Sequence, residues 1–375
     1  MSGDDLPARP ARAAWLAGGG TVGHLAPGFA IASALAARGQ GALFVTPGEA
    51  REAGWFPPGS PPVAHLPAPR RPRSLGEALR FLPRMAAAVG RGVRRLHRER
   101  PPAVLALGGW PCVPAALAAL ASGTPLALLA SDLVPGVVVR ALAPLARRCY
   151  VAHPEAGRRL RGGTVQVTGP VLRPALAGAV RDPARLGLRE GRLTLLVVGG
   201  SLGARALNEA LVRGVAEAAA ADPSLRERLQ VLHSVGGAGE GVEAGWQAAG
   251  VPARVVPFIQ DMGTAYRTAD LVVSRAGAIT CAELEALGVP AVLVPYPHHE
   301  DRQQHLNAGR LAARGGALLL EEHALTPQAV REQVLGLLLD GGRRAAMAAA
   351  MRREAGDAAG AIAHDLLHLR RARRR

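Results

Sequence analysis

The sequence predicts an α/β chain made of two doubly wound domains in tandem, each a parallel sheet covered by helices on both faces. Three observations carry this. Short, wholly apolar runs alternate with stretches of helical period, the pattern of strands buried on both faces. Two of these runs end in glycine-rich turns that open a helix, Gly18-Gly19-Gly20-Thr21 and Gly199-Gly200-Ser201. The second turn restarts the series about halfway along 375 residues, a length that supplies two ordinary cores.

In chain order, the first half should hold strands at Ala14–Ala17, Ala42–Thr46, Val104–Leu107, Leu126–Leu129 and Cys149–Ala152. Helices are expected from about Pro27 to Ala37 and from Pro114 to Ser122. The second half should hold strands at Leu193–Val198, Gln230–Ser234, Ala253–Val256, Leu271–Ser274 and Ala291–Pro295, with a helix from about Ala204 to Ala220. Glycine and proline cluster from Gly169 to Pro174, which places the crossing there and gives domains 1–170 and 174–345. A last helix, from about Arg343 to Arg374, could return to the first domain over residues 346–375.

Composition narrows the function. Apolar residues are 49% and aromatics only 3%, so the cores must be built from Ala, Val and Leu. There is no lysine; all 45 basic residues are arginine, and the formal charge is +16. No zinc-finger spacing, aromatic RNA-binding signature or basic helix followed by heptads accompanies that charge. It reads as genome bias together with an anionic ligand or lipid surface, not nucleic acid. Cys112, Cys149 and Cys281 lie far apart with no CxxC pair, which argues against a disulfide framework or metal site and fits a reducing cytoplasm. Asp4, Asp5, Pro7 and Pro10 stand where a signal peptide needs an apolar run. The most apolar stretch, Val113 to Ala130, is broken by Ser122-Gly123-Thr124-Pro125, so any membrane contact should be peripheral.

Candidate ligand-binding groups follow from the strand-to-helix turns, where helix N-termini aim free amides at a ligand. Gly19-Gly20-Thr21-Val22-Gly23-His24 and Gly199-Gly200-Ser201-Leu202-Gly203 are neither GxGxxG nor a P-loop, and each could be a plain tight turn. Leu271 to Asn307 says more. After Ser274-Arg275-Ala276-Gly277, the amides of Ala278, Ile279 and Thr280 can face a diphosphate. About one turn into the helix, the Glu283 carboxylate could accept both hydroxyls of a ribose, or simply offset the helix dipole. Gln303, Gln304 and Asn307 offer amides suited to sugar hydroxyls, or to capping a helix.

With these residues in view, the chain resembles the MurG family of bacterial glycosyltransferases. These add N-acetylglucosamine to undecaprenyl-pyrophosphoryl-N-acetylmuramoyl-pentapeptide (lipid I), forming lipid II. The resemblance covers nearly the whole chain and is strongest from Val256 to Gly316, through Pro257-Phe258-Ile259-Gln260-Asp261-Met262, Ser274–Ala278, Thr280 with Glu283, and Asp301-Arg302-Gln303-Gln304 with Asn307-Ala308. It implies the glycosyltransferase B (GT-B) fold, two Rossmann-like parallel-sheet domains facing a cleft, and UDP-N-acetylglucosamine as donor without metal or other cofactor. By the same resemblance the Ile259 backbone reads uracil, Ala278–Thr280 hold the diphosphate, Glu283 the ribose, and Gln303 and Gln304 the amino sugar. Ser201 and Arg173 reach the nucleotide or its phosphates, and Thr21, Gly23 and His24 form the acceptor loop. The implied reaction inverts the sugar on the 4-hydroxyl of lipid I, at the cytoplasmic face of the bacterial plasma membrane.

The chain departs from the family in its first half. Val22 replaces a glycine, Leu129-Ala130-Ser131-Asp132 stands for His-Glu-Gln-Asn, and Leu202 replaces a glutamine. A different acceptor, a UDP-sugar epimerase, or an impaired homologue acting as an interaction protein are therefore the alternative readings. His24 is the first candidate for the base that takes the acceptor proton, and Asp132 the second. From Arg70 to Arg100, Leu75, Leu79, Phe81, Leu82 and Met85 mix with Arg70, Arg71, Arg73, Arg80, Arg84, Arg91, Arg94, Arg95, Arg98 and Arg100. This suits an anionic membrane surface, with an ordinary amphipathic helix on the sheet as the plainer reading.

Overall fold

The computed structural model describes residues 12–369, apart from 49–54, 57–58, 73, 177, 201–202, 238, 299–300, 354–355 and the side chains of Val22 and Leu75. Ser201, Leu202, Arg73 and residues 370–375 thus lie outside the described residues. The chain forms two compact units, Met1–Val171 with Gly356–Arg375, and Leu172–Ala355.

The first unit contains β1 (Ala14–Ala17), β2 (Ala42–Thr46), β3 (Val63–His65), β4 (Val104–Ala106), β5 (Leu126–Ala130), β6 (Arg148–Val151) and β7 (Thr164–Val167). They pair in parallel in the order β3-β2-β1-β4-β5-β6-β7. Its helices are α1 (Val22–Ala36), α2 (Leu75–Glu99), α3 (Val113–Ser122), α4 (Val137–Leu142) and α5 (Pro154–Arg158). One face of the sheet packs Trp15, Val45, Val104 and Leu128 against α2 and α3; the other packs Leu16, Phe44 and Leu105 against α1. Ser74 caps α2 by accepting from the Glu77 amide, and Arg100 ends it in the left-handed region.

The second unit contains β8 (Leu193–Val198), β9 (Leu229–Ser234), β10 (Ala253–Val256), β11 (Leu271–Ser274), β12 (Ala291–Leu293) and β13 (Ala317–Leu319). These are again parallel, in the order β10-β9-β8-β11-β12-β13. Its helices are α6 (Arg205–Ala221), α7 (Leu225–Arg228), α8 (Val242–Ala249), α9 (Met262–Thr268), α10 (Ala278–Leu287), α11 (Gln303–Ala312), α12 (Pro327–Ala329), α13 (Gly336–Leu339) and α14 (Gly341–Met351).

Two expectations need correction. The helix expected to start at Pro27 begins at Val22, with Pro27 inside it, because Leu25 and Ala26 are buried on the sheet and tertiary packing outweighs one lost hydrogen bond. The single C-terminal helix is two helices. α14 buries Met351 in the second unit, whereas α15 (Ala358–His368) buries Ile362 and Leu366 in the first. Asp357 caps α15 at the Gly360 amide, 2.8 Å away. Asp365 then ties α15 to its sheet by accepting from Arg148 at 2.7 and 3.0 Å and from the Tyr150 hydroxyl at 2.8 Å.

Candidate active site

In the first unit the winding of the sheet reverses between β1 and β4, the place where a parallel sheet binds ligands beyond its strand ends. The chain leaves β1 through Gly18–Thr21 into α1, and leaves β4 through Leu107, Gly108 and Gly109. The His24 ring lies on that second turn. A Cβ added at Gly109 would stand 3.1 Å from His24 Cε1, and Gly109 has a φ of +70°, so both space and backbone call for glycine. Thr21 Oγ1 lies 3.0 Å from His24 Nδ1, and the His24 amide donates to the Thr21 carbonyl at 3.2 Å. Gly23 is exposed in the same turn, and no side chain caps α1.

His24 therefore stands in the first turn of a helix, not in the loop that the sequence suggested. Burial lowers its pKa below the ordinary value, while the Asp132 charge and the Gly19 backbone oppose that shift. A ring that is neutral at neutral pH can accept a proton, and Asp132 is close enough to favour the resulting cation. Cys112 and Cys149 offer no competing nucleophile: burial raises the Cys112 thiol to about 12 and Cys149 to about 11. Leu129 and Ala130 lie within β5 and are buried, so Asp132, just past the strand, supplies the ionisable group of that segment.

In the second unit the reversal falls between β8 and β11. β11 runs through Arg275-Ala276-Gly277 into α10, which no side chain caps, leaving the first-turn amides of Ala278, Ile279 and Thr280 without intrahelical acceptors. Asn307 on α11 steadies this turn, its Nδ2 donating to the Ala276 carbonyl at 3.1 Å. Glu283 on α10 is 0% exposed. Its Oε1 lies 2.8 Å from Arg173 Nε, but the approach is not aligned as a hydrogen bond. The contact is Coulombic, and the hydrogen-bonding capacity of a fully buried carboxylate is left largely unused. Burial raises the Glu283 pKa, with Arg173 and then the Tyr266 hydroxyl pulling it down. Tyr266 is itself raised by burial and by the Glu283 charge.

The other expected donor residues are placed unevenly. Ile259 is buried in the core beside Met262 and Tyr266. Gln303 Nε2 donates to Asp301 Oδ2 at 2.7 Å, and Gln304 Oε1 accepts from the Tyr296 amide at 2.9 Å, so both amides brace the segment before α11. Glu283 was expected to meet ribose hydroxyls; here it is fully buried with Arg173 against it. One neighbour of Glu283 had no sequence signal of function, Tyr266. Arg275, part of the Ser274–Ala278 motif, donates to the Val294 and Pro295 carbonyls at 3.2 Å and pairs with Glu322. Among the described residues no group of three His, Cys, Asp or Glu side chains is placed to hold a metal ion.

Comparison with known proteins bears on both units. Residues 14–151 match the glycosyltransferase family 28 N-terminal domain and residues 194–362 match its C-terminal domain. A UDP-N-acetylglucosamine–N-acetylmuramyl-(pentapeptide) pyrophosphoryl-undecaprenol N-acetylglucosamine transferase of Burkholderia thailandensis is 37% identical over 85% of this chain and 86% of its own length. The chain belongs to glycosyltransferase family 28. The enzyme of the same name from Burkholderia pseudomallei is 38% identical over the same shares. The crystal structure of Acinetobacter baumannii MurG superposes with a TM-score of 0.68 at 27% identity, covering 95% of this chain and 99% of that one. The glycosyltransferase of kitacinnamycin, at 20% identity and a TM-score of 0.65, shares the fold. This family 28 chain is thus a glycosyltransferase of GT-B class, with His24 and Asp132 at the switch point of one sheet and Glu283 with the α10 amides at that of the other.

Proposed function

We propose that this glycosyltransferase moves N-acetylglucosamine from UDP-N-acetylglucosamine to the 4-hydroxyl of lipid I, with inversion, to give lipid II. The observation that carries the reading is the match along 85% of the chain to transferases whose name states that donor and that acceptor. The site chemistry agrees. The Glu283 carboxylate has acceptor capacity for two ribose hydroxyls once Arg173 turns away, and Arg173 is then free to meet a phosphate. As the acceptor oxygen attacks C1, neutral His24 takes its proton, a new C1–O bond forms, and the bond from C1 to the diphosphate oxygen breaks. The electron pair leaves on UDP, whose growing charge the uncapped start of α10 and Arg173 stabilise. Ile259, Ser201, Gln303 and Gln304 complete the donor assignment, and Thr21 and Gly23 the acceptor turn.

Peripheral attachment to the anionic cytoplasmic face of the plasma membrane belongs to the same proposal. Leu79 and Leu82 are 70% and 65% exposed on α2, beside the exposed Arg80 and Arg84. No described helix is long and apolar enough to cross a membrane. Incubation of purified protein with labelled UDP-N-acetylglucosamine and lipid I tests the reading. Labelled lipid II is the expected product; tight UDP binding with no lipid II would replace the transferase by a UDP-sugar-binding homologue.

A further inference from the structure

Between the C-terminal half of α2 and strands β1 to β3 of the first unit lies a cavity of about 370 Å³. Its wall is basic: Arg91, Arg94, Arg95 and Arg98 line it, together with Trp15 of β1 and His65 of β3. The arginines stand at i, i+3, i+4 and i+7, so they share one helix face, where like charges at such spacings oppose the helix. Among the described residues, one carboxylate, Glu99, pairs with them. Glu99 Oε1 is 2.6 Å from Arg95 Nε and 3.8 Å from Arg98, and Glu99 Oε2 accepts from the Trp15 indole at 2.9 Å. Among the described residues, Arg91 and Arg94 have no carboxylate within ion-pair distance.

A solvated arginine face would need no cavity beneath it. Here four arginine residues border a concave space, the Arg95 head 5.9 Å from the centre of the Trp15 ring. The geometry points to a binding site for a phosphate-type anion in this cavity, a free phosphate or pyrophosphate group or the phosphate of a lipid headgroup. Guanidinium forks match phosphate oxygens, and neighbouring arginines on one face can hold more than one oxygen at once. The volume is at the lower end of small-ligand sites, large enough for a phosphate and a short attached group. Neither His24 nor Asp132 lines the cavity, so the site stands apart from the acceptor turn and does not rest on the proposed reaction. It is also separate from exposed Leu79 and Leu82: Arg94 lies twelve residues after Leu82, about 18 Å along the helix.

The test saturates the protein with UDP, then titrates it by calorimetry in two arms. One uses inorganic pyrophosphate; the other uses dihexanoyl phosphatidylglycerol below its micelle concentration, with dihexanoyl phosphatidylcholine as the zwitterionic, net-neutral comparison. One-to-one binding of either anion is expected, at least about tenfold weaker in Arg91→Gln/Arg94→Gln. Arg158→Gln/Arg159→Gln, exposed at the end of α5 and outside both the cavity and the α2 face, should bind as the parent does. Both pairs are exposed, so the melting temperature of each variant should match the parent and certify the fold. Pyrophosphate binding assigns a free anion, and phosphatidylglycerol binding without it assigns a lipid headgroup. Failure of both anions, equal binding of phosphatidylcholine, or equal losses in the two variant pairs would overturn the proposal.

Discussion

Replacing Glu283 by Gln separates a ligand-binding carboxylate from a structural one, because the two roles predict opposite signs. The side chain is fully buried, and its close charged neighbour is Arg173, 2.8 Å away and misaligned. If Glu283 accepts ribose hydroxyls, neutralising it removes the charge assistance from those bonds, each of which contributes about 1.5–3 kcal/mol. Glutamine keeps one acceptor oxygen, and Arg173 no longer competes for the site. The net loss should be about 2 kcal/mol, or roughly thirtyfold in UDP affinity. Folding responds the other way. The folded-state pKa of Glu283 is raised, so its contribution to stability is present below the unfolded pKa and lost as pH rises through the folded one. At neutral pH the buried charge is a net cost, which glutamine removes; the melting temperature should hold or rise. Wild-type UDP affinity should also fall on acidification before the ordinary glutamate range is reached, while Glu283→Gln stays flat over that window. Calorimetry with UDP and thermal unfolding on the same samples decide it. Undiminished affinity, or affinity and melting temperature falling together, would refute the ribose role.

His24→Ala should lower turnover about 10²–10⁴-fold while leaving UDP affinity within about twofold, as steady-state rates and calorimetry would show. Because the Asp132 charge raises the His24 pKa, Asp132→Asn should move the acid limb of the pH–rate profile to lower pH; loss of all activity would make Asp132 the base instead. His233 is fully buried, accepts from the Trp246 indole at 3.1 Å and sits 3.0 Å from Asn208 Oδ1, with its pKa lowered to about 4. A depressed histidine gives stability above its unfolded pKa and loses it as pH falls, so urea unfolding should show a loss of about 3 kcal/mol between roughly pH 6.5 and 4. Leu79→Ser/Leu82→Ser should abolish sedimentation with anionic vesicles and change unfolding free energy by no more than about 0.5 kcal/mol, since both side chains are exposed.

Strands buried on both faces were legible because they leave continuous apolar runs: Ala14–Ala17, Leu193–Val198 and Leu271–Ser274 have the bounds their composition suggests. β3, β7 and β13 were not, because they lie at or near sheet edges, are short, and carry partly exposed residues. The glycine turns and the start of α10 were equally readable, since a strand ending in glycine before a helix leaves few geometries. What escaped was everything set by side chains distant in sequence. No spacing rule joins Arg173 to Glu283, 110 positions apart, or brings Tyr266 to the same carboxylate. The arginines of α2 were visible as a charged face, but only the packing of α2 over Trp15 and His65 turns that face into the wall of a cavity.

The two units differ in how their ligand chemistry is encoded. In the second, the groups proposed to face the diphosphate are backbone amides at an uncapped helix start, present whatever side chains occupy Ala278 to Thr280. Substitution there alters shape but not the donors, so a donor signature persists in a chain that has drifted elsewhere. In the first unit the chemistry rests on side chains, and Leu129 and Ala130 show how completely it can be lost: both are turned into the core by their place in β5. That leaves a neutral imidazole held by Thr21 over two glycines, with one carboxylate nearby, as the ionisable equipment the described residues provide at this switch point. If this turn is the acceptor site as proposed, a site of one base and one charge relies on the acceptor's own groups for orientation. Acceptor choice is therefore where this chain has most freedom to differ from its family 28 relatives, whereas the proposed diphosphate contacts are held by the backbone.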